Sequence, residues 1–241
     1  MKVLIFSAET PLGRQIFLSL EALGHEVSSR RSEELLSASL SANNFQGVDA
    51  VIYLDPVPEE QFQDSEDKFV DYLTAFKNCV QMVYRDKVKN LFLLSMGDEM
   101  YGAAWHWPAD ERASLNSNSL YGTLRTTFEG FISNTTAAKR FSGEISSPQV
   151  YGYPQGKDDL HQWVQSLKNG EIPEISGDGS RQRDYIHIND VVSALNLALN
   201  SSREILLDTT FNISTGIGTS DLQVFQHILH QAKKWGLQSP Q

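Results

Sequence analysis

The hydrophobic positions of this chain fall into short runs, each followed by a segment with the three- to four-residue spacing of a helix. A run such as Ala50–Leu54 (AVIYL) has the length and composition of a strand that is buried on both faces. Runs of this kind recur from one end of the chain to the other. The predicted strands are Lys2–Phe6, His25–Ser28, Ala50–Leu54, Leu91–Ser95, Gly143–Ser147, Tyr185–Ile188 and Phe211–Ile213.

The segments between these strands have the spacing of amphipathic helices. Leu12–Leu23 is followed by Gly24, a residue type that often ends a helix, and Asp64–Arg85 carries apolar residues on one face. Leu35–Asn44, rich in serine and asparagine, predicts a loop or a frayed helix. Strands that alternate with helices predict an α/β, Rossmann-like, doubly wound parallel sheet. The other predicted helices are Leu120–Ile132, Asp158–Lys168, one that begins at Asn189-Asp190, and Asp221–Trp235.

The composition excludes some classes of binding partner and indicates the cellular compartment. The chain has 241 residues, a net charge of -10 and 40% hydrophobic residues, so neither nucleic acid nor an anionic membrane is an expected partner. No apolar run approaches the length of a membrane span, and the first residues do not resemble a leader peptide. Cys79 is the single cysteine, which excludes an intrachain disulfide and fits a reducing compartment. We therefore expect a cytoplasmic protein, and the sequence predicts no metal site.

A series of short motifs, in a fixed order, carries the functional signal. They are Leu4–Gly13, Gly47–Leu54 (GVDAVIYL), Ser95–Gly102 (SMGDEMYG), Tyr121–Arg125 (YGTLR), Pro148–Gly152 (PQVYG), Gly177–Val192 (GDGSRQRDYIHINDVV) and Phe211–Gly216 (FNISTG). In this order they resemble the motifs of the extended short-chain dehydrogenase/reductase family, the nucleotide-sugar epimerases and dehydratases. The resemblance implies one NAD(P)-binding domain over residues 1–241, with a minimal substrate lobe from about 150–180 and the C-terminal segment.

The turn after the first strand lies where this family has its glycine fingerprint. Ser7 and Thr10 stand at the first two glycine positions, and Gly13 keeps the third, which serves helix packing. The backbone of Ser7, Thr10 and Leu12 and the start of the helix still offer a site for phosphate. However, side chains now stand where a pyrophosphate would lie, and Glu9 adds a carboxylate. If either position needs a positive φ, its side chain costs about 1–2 kcal/mol there.

Other residues of the implied cofactor site leave two interpretations open. Arg30 and Arg31 follow the second strand, where arginine favours the 2′-phosphate of NADP, although a solvated surface pair fits equally well. Asp55 follows the third strand and places another carboxylate near the dinucleotide. The turn itself can equally be a plain strand-to-helix connection, with Pro11 in the first helical turn. The resemblance thus implies NADP or NAD as cofactor, bound weakly or not at all.

The family's catalytic pair is altered in this chain. In the family, a tyrosine is the acid/base, and a lysine four residues later lowers its pKa and holds the nicotinamide ribose. Tyr121 keeps the tyrosine, whereas Arg125 stands in place of the lysine, with the same charge but a bulkier, planar head group. An ordinary helical tyrosine–arginine pair is the alternative interpretation.

Three more residues enter the catalytic prediction through the strand-four motif. The family's serine or threonine position aligns with Gly97, so Ser95 is the nearest hydroxyl. Asp98 and Glu99 resemble the acidic pair that sugar dehydratases use for proton transfer and loss of water. They can also be plain loop acids.

Substrate binding is implied by two residues. Arg183 matches a family arginine that grips the substrate diphosphate, and a guanidinium suits phosphate bidentately; a structural salt bridge with Asp184 or Asp190 is the alternative. Gln149 replaces the family's asparagine. Two functions follow: an NADP- or NAD-linked epimerase, dehydratase or reductase, or a non-catalytic relative that binds a nucleotide-sugar or a protein partner. Family members commonly dimerise through two long helices, here Asp64–Arg85 and Leu120–Ile132, so a homodimer is predicted.

Overall fold

A computed structural model provides the fold. It describes residues 1–36, 45–54, 66–96, 101, 110–117, 119–134, 141–147, 149–154, 158–201 and 209–236. The main strands are β1 (Lys2–Phe6), β2 (Glu26–Arg30), β3 (Ala50–Leu54), β4 (Asn90–Met96), β5 (Phe141–Ser147) and β8 (Thr209–Asn212).

Within the described residues these strands form one parallel sheet in the order β2-β1-β3-β4-β5-β8. The strand order reverses between β1 and β3, because the chain leaves β1 for β2 on one side and returns to β3 on the other. In sheets of this kind a ligand crevice lies outside the carboxyl ends of the strands at the reversal. The prediction of a Rossmann-like, doubly wound α/β sheet is therefore confirmed.

The described helices begin and end close to the predicted boundaries. His187 explains one difference at the start of the helix Ile188–Asn200. Its side chain accepts a hydrogen bond from the Asn189 N–H and caps the helix, so Ile188 is helical although the sequence predicted a strand there. The predicted loop at Leu35–Asn44 is preceded by a 3-10 helix, Ser32–Leu36, and its residues 37–44 lie outside the described residues. The helices are α1 (Pro11–Ala22), α2 (Glu66–Arg85), α3 (Leu120–Asn134), α4 (Asp159–Asn169), α5 (Ile188–Asn200) and α6 (Asp221–Lys234).

Each face of the sheet has its own hydrophobic core. Val3 and Ile5 of β1 pack in one core with α1 and α5, whereas Leu4 and Phe6 pack in a second core with α2 and α3. Successive side chains of a strand point to opposite faces, so a strand covered on both sides must be apolar at nearly every position. This requirement explains the continuous apolar runs of the sequence.

A second, smaller sheet lies beside the main one. β6 (Gln149–Tyr151) pairs parallel with β7 (Gln182–His187), and β7 pairs antiparallel with β9 (Gly218–Ser220). The sequence did not predict β6 and β9, which are too short to show a period. Trp163 of α4 packs edge-on against Phe225 of α6, with ring centroids 5.7 Å apart. Whether this part is a substrate lobe, as the resemblance implies, stays a prediction.

Candidate functional site

The turn between β1 and α1 begins at a strained residue. Ser7 has φ 64, which lies in the left-handed region, and its side chain is fully buried. A residue with a Cβ costs about 1–2 kcal/mol in this conformation relative to glycine. Its N–H donates to the Arg30 carbonyl at 3.0 Å, so the Ser7 backbone continues the pairing of β1 with β2. The first fingerprint position therefore has the geometry of a glycine but carries a serine.

Thr10 caps the helix that follows. Its backbone is extended (φ -67, ψ 151), and its Oγ1 accepts a hydrogen bond from the Gly13 N–H at 3.1 Å while donating to the Ser7 carbonyl at 3.0 Å. Pro11 has no N–H to offer. Among the first-turn donors, the Leu12 N–H alone has no acceptor within the described residues. The start of α1 has thus satisfied its polar groups internally, with one exception.

Gly13 is required by close packing between α1 and the sheet. A Cβ at this position would lie 2.5 Å from the Ser7 carbonyl oxygen and 2.9 Å from Cδ1 of Leu54. Both distances are far below van der Waals contact, and one involves backbone. The third fingerprint position therefore keeps the packing role predicted from the sequence.

The end of β2 lies directly beside this turn. The hydroxyls of Ser7 and Ser32 are hydrogen-bonded to each other, and Ser32 is 1% exposed. Arg30 forms a salt bridge with Glu34 (Nη1–Oε2, 3.6 Å), and the Arg31 N–H donates to Oε1 of the same carboxylate at 3.1 Å. The two predicted arginines thus flank the turn, but one of them is neutralised by an acid. Sequence reasoning missed Ser32, because nothing in the local pattern marks it.

The predicted catalytic pair is buried on the face of the sheet that α2 and α3 cover. Tyr121 and Arg125 lie one turn apart on α3, and Nη2 of Arg125 donates to the Tyr121 hydroxyl at 3.0 Å. The guanidinium carbon is also 5.2 Å from the centroid of the Tyr121 ring. Arg125 is fully buried and Tyr121 is 5% exposed. The arrangement holds a permanent positive charge at the phenol oxygen, as the spacing predicts.

The remaining predicted site residues are only partly described. Ser95 is the sixth residue of β4, pairs in register with Ser146 of β5 and is 1% exposed. Asp55, Asp98 and Glu99 lie outside the described residues. Their roles stay predictions.

The two predicted substrate residues contact each other. Nη1 of Arg183 donates to Oε1 of Gln149 at 3.2 Å, which links β7 to β6. Nη2 of Arg183 donates to Asp159 at 3.2 Å, and Nε lies 3.7 Å from a carboxylate oxygen of Asp221. The sequence predicted that Gln149 and Arg183 belong to one binding site, but it did not predict the contacts of Arg183 with Asp159 and Asp221.

The alternative named the wrong partners for Arg183, although Arg183 does form salt bridges, with Asp159 and Asp221. Asp184 instead accepts hydrogen bonds from the N–H groups of Thr215 (3.1 Å) and Gly216 (2.7 Å), so it holds the turn before β9. Asp190 makes no ion pair with Arg183 within the described residues. Adjacent strand residues point to opposite faces, which is why Asp184 cannot share the surroundings of its neighbour.

The Arg183 cluster carries more negative than positive charge. Asp221 is 2% exposed and accepts a hydrogen bond from the Tyr185 hydroxyl at 3.0 Å, whereas the Asp159 side chain is 41% exposed. Burial, reinforced by Asp221, raises the pKa of Tyr185, so this hydroxyl stays a donor. One sequence signal for Asp221 existed: Ser220 and Gln223 form a capping box, which fixes the start of α6.

A histidine lies at the start of α4, next to this cluster. Nδ1 of His161 is 2.8 Å from Asp158 Oδ1, and Nε2 is 2.6 Å from the Tyr153 carbonyl oxygen. Burial by itself lowers the pKa of His161, but the Tyr153 carbonyl and the Asp158 carboxylate outweigh it and raise the pKa above its usual value. Both ring nitrogens face acceptors, so both must carry a proton to satisfy them.

The described part of the chain contains neither a candidate metal cluster nor a candidate membrane span. There, no three His, Cys, Asp or Glu side chains come together in a way that could hold a metal ion. The described helices include none with both the length and the apolar character of a membrane span.

Known sequences place this architecture among relatives. A model of the NAD dependent epimerase/dehydratase family matches residues 12–214. A putative UDP-glucose 4-epimerase of Methanocaldococcus jannaschii is 28% identical over 159 residues, which are 64% of this chain and 50% of that protein. A bifunctional UDP-glucose 4-epimerase and UDP-xylose 4-epimerase of Arabidopsis thaliana is 27% identical over 171 residues, 61% of this chain and 45% of that protein. The chain thus spans about half the length of the curated relatives it matches.

Solved structures share the fold. The UDP-glucose 4-epimerase of Thermotoga maritima, solved with UDP-glucose, has a TM-score of 0.84 at 19% identity, covering 98% of this chain and 83% of that one. The dTDP-glucose 4,6-dehydratase DesIV of Streptomyces venezuelae, solved with NAD, has a TM-score of 0.84 at 16% identity and the same coverage. MoeE5, solved with UDP-glucuronic acid and NAD, has a TM-score of 0.83 at 22% identity, covering 100% of this chain and 84% of that one. With its matching family model and the resemblance of its ordered motifs, the chain belongs to the NAD dependent epimerase/dehydratase family, among the extended short-chain dehydrogenases/reductases.

Proposed function

We propose that this chain is a nucleotide-sugar epimerase/dehydratase-like protein that binds a nucleotide-sugar but binds NAD or NADP only weakly. In this proposal it acts as a non-catalytic, regulatory or accessory relative of the family's enzymes, in the cytoplasm and as a homodimer. The observation that carries the proposal is the β1–α1 turn, where the N–H groups of Ser7, Thr10 and Gly13 already donate to acceptors of the chain itself.

A pyrophosphate at this turn would need backbone N–H groups and close approach. The Gly13 N–H is occupied by the Thr10 hydroxyl, Pro11 has none, and the Ser7 N–H is bonded to the Arg30 carbonyl. In the first turn of α1, the described contacts leave only the Leu12 N–H for a doubly charged ligand. The residues of this turn therefore do not fit the pyrophosphate of the family's cofactor.

The substrate side supports ligand binding better. Related structures were solved with UDP-glucose and UDP-glucuronic acid. Arg183 and Gln149, which the resemblance assigns to the substrate, contact each other, and the half-exposed Asp159 is the partner that a diphosphate could displace. Each hydrogen bond from a guanidinium to a phosphate is worth about 1.5–3 kcal/mol. We infer that a nucleotide-sugar binds here more tightly than NAD does.

Isothermal titration calorimetry with NAD, NADP and UDP-, GDP- and dTDP-sugars tests the proposal. We expect millimolar or weaker binding of both dinucleotides, NADP being the better because of Arg30 and Arg31, and tighter binding of one nucleotide-sugar. Arg183→Ala should weaken the sugar at least tenfold, the loss of about one charged hydrogen bond. Arg181→Ala, which removes an exposed arginine two residues away, is the control. A sub-micromolar dissociation constant for NAD or NADP, or no nucleotide-sugar binding, would overturn the proposal.

A divergent but active enzyme is the second candidate. It is favoured by one contact, the 3.0 Å hydrogen bond from Arg125 to Tyr121, which keeps a cation at the family's acid/base tyrosine. Turnover of any nucleotide-sugar by the purified protein would favour this candidate over the first. Native mass spectrometry of the same preparation would detect a dinucleotide retained through purification.

A further inference from the structure

The contact between Ser7 and Ser32 joins the end of β1 to the 3-10 helix that follows β2. In folds of this type the pyrophosphate lies at the end of β1, and the adenosine ribose lies at the end of β2. Here the two side chains at those strand ends are hydrogen-bonded to each other, and both are buried. The side chains at the two strand ends therefore satisfy each other.

The 3-10 helix that carries Ser32 is firmly anchored on its other side. Leu35 is fully buried in the core that also contains Phe6 and Phe45. The Asn78 side chain of α2 donates to the Leu35 carbonyl at 2.7 Å. Moving Ser32 away from Ser7 would disturb these contacts, so the closed position is built into the packing.

Two contacts of Glu34 also fix this segment. Glu34 accepts the Arg31 N–H and pairs with the Arg30 side chain, which ties the end of β2 to the 3-10 helix. The guanidinium of Arg30 and the backbone N–H of Arg31 thus meet the same carboxylate. Its negative charge would also repel a dinucleotide at this edge.

We propose that the Ser7–Ser32 hydroxyl contact is a specificity-determining latch that closes the adenosine side of the crevice to dinucleotides. This inference rests on the proposed weak binding of NAD and names the residues that cause it. Glycine at position 7 keeps the backbone at φ 64 without a side chain, and alanine at position 32 removes the second hydroxyl. Together these changes remove the hydroxyl contact and the Cβ that stands at the first fingerprint position.

If Ser7 and Ser32 instead helped to bind a dinucleotide, removing their hydroxyls would change its affinity in the opposite direction. If the two hydroxyls were phosphate ligands, they would donate to a bound dinucleotide, and removing either would weaken its binding. If they form a latch, removing them strengthens binding. The sign of the change in affinity therefore separates the two roles.

Calorimetric titration with ADP-ribose and NAD, on the full chain, tests the latch. ADP-ribose lacks the nicotinamide, so it reports the adenosine side alone and is independent of Tyr121 and Arg125. We expect Ser7→Gly/Ser32→Ala to bind both ligands at least tenfold more tightly than the wild type. Ser29→Ala, which removes an exposed serine hydroxyl from β2, should bind as the wild type does.

The titrations distinguish failure of the latch from failure of the proposed function. Tight NAD binding by the wild type overturns the proposed function and the latch together. Weak wild-type binding with no gain in the folded double variant, as judged by circular dichroism, overturns the latch alone. If the double variant does not fold, Ser32→Ala decides: a gain in ADP-ribose affinity supports the latch, and an unchanged or lower affinity overturns it.

Discussion

At the scale of single residues, Ser7 combines a glycine-like backbone with a buried hydroxyl. Ser7→Ala loses the hydrogen bond to Ser32 and keeps the cost of a Cβ at φ 64, whereas Ser7→Gly loses the same bond and relieves that cost. We expect the glycine variant to be more stable than the alanine variant by about 1–2 kcal/mol in urea unfolding. Equal stabilities would mean that the left-handed backbone carries no strain. Ser29→Ala against Ser29→Gly, on extended backbone, is the control pair and should favour alanine.

Arg125 is a fully buried cation at which arginine and lysine differ in shape and reach. Arg125→Lys withdraws the guanidinium from the Tyr121 hydroxyl and buries a compact ammonium instead. We expect a loss of stability of about 1–3 kcal/mol and no nucleotide-sugar turnover from either protein. Arg181→Lys, at an exposed position, should change neither quantity. Turnover that rises in the lysine variant would establish the divergent-enzyme candidate, and turnover that falls would make arginine an adapted catalyst.

Asp159 competes with any anionic ligand for the guanidinium of Arg183. Asp159→Asn keeps the size of the side chain and removes one of the two carboxylates around Arg183, while the buried Asp221 stays in place. We expect the variant to bind a nucleotide-sugar several-fold more tightly, because the cluster then carries one negative charge less. Asp178→Asn, which neutralises an exposed acid in the turn before β7, is the control in the same titration. Weaker binding by Asp159→Asn would mean that this carboxylate contacts the ligand itself.

At the scale of an element, the start of α4 depends on a protonated histidine. The N-cap residue Asp158 accepts both the His161 N–H and its ring Nδ1, and the other ring nitrogen faces the Tyr153 carbonyl. The pKa of His161 is raised in the folded state. A raised folded-state pKa gives stability that is fully present below the unfolded pKa, about 6.5, and is lost as the pH rises through the folded value.

We therefore expect the thermal unfolding midpoint to fall as the pH is raised from about 6 to about 8. His161→Gln should remove most of this dependence, because its amide does not change charge. His227→Gln, which replaces an exposed histidine of α6, should leave it in place. A His161→Gln protein with the same pH dependence as the wild type would show that another group is responsible.

The elements of the fold differ in how far the sequence alone predicts them. β1, β3 and β4 were predictable because a strand buried on both faces is apolar throughout, and α6 was predictable from its amphipathic spacing. β6 and β9 have three residues each, too few for a period, so their pairing with β7 depends on tertiary contacts. Within the site, the order of motifs located Gly13, Tyr121 and Arg183. The contact of Ser7 with Ser32 could not be predicted, because it depends on the path of the chain after β2.

At the scale of the whole molecule, α2 and α3 pack beside each other on one face of the sheet, and α2 presents apolar side chains outward. Val70 and Tyr84 are 58% and 60% exposed and lie on the same face of α2, close to four turns apart. The family commonly dimerises through the two corresponding helices. Apolar side chains of this size bury well against a second copy, each contributing about 1.5–3 kcal/mol when fully covered.

We predict that the wild type sediments as a dimer and that Tyr84→Glu shifts it to the monomer. A carboxylate in such an interface would lose its water against apolar side chains of the partner copy, which opposes association. Leu197→Glu is the matched control, because Leu197 is 69% exposed on α5, on the opposite face of the sheet. Sedimentation velocity at several protein concentrations gives the measurement, with circular dichroism to show that both variants are folded. A wild type that is monomeric at high concentration would contradict the predicted dimer. A dimer that survives Tyr84→Glu but not Leu197→Glu would place the interface on α5 instead.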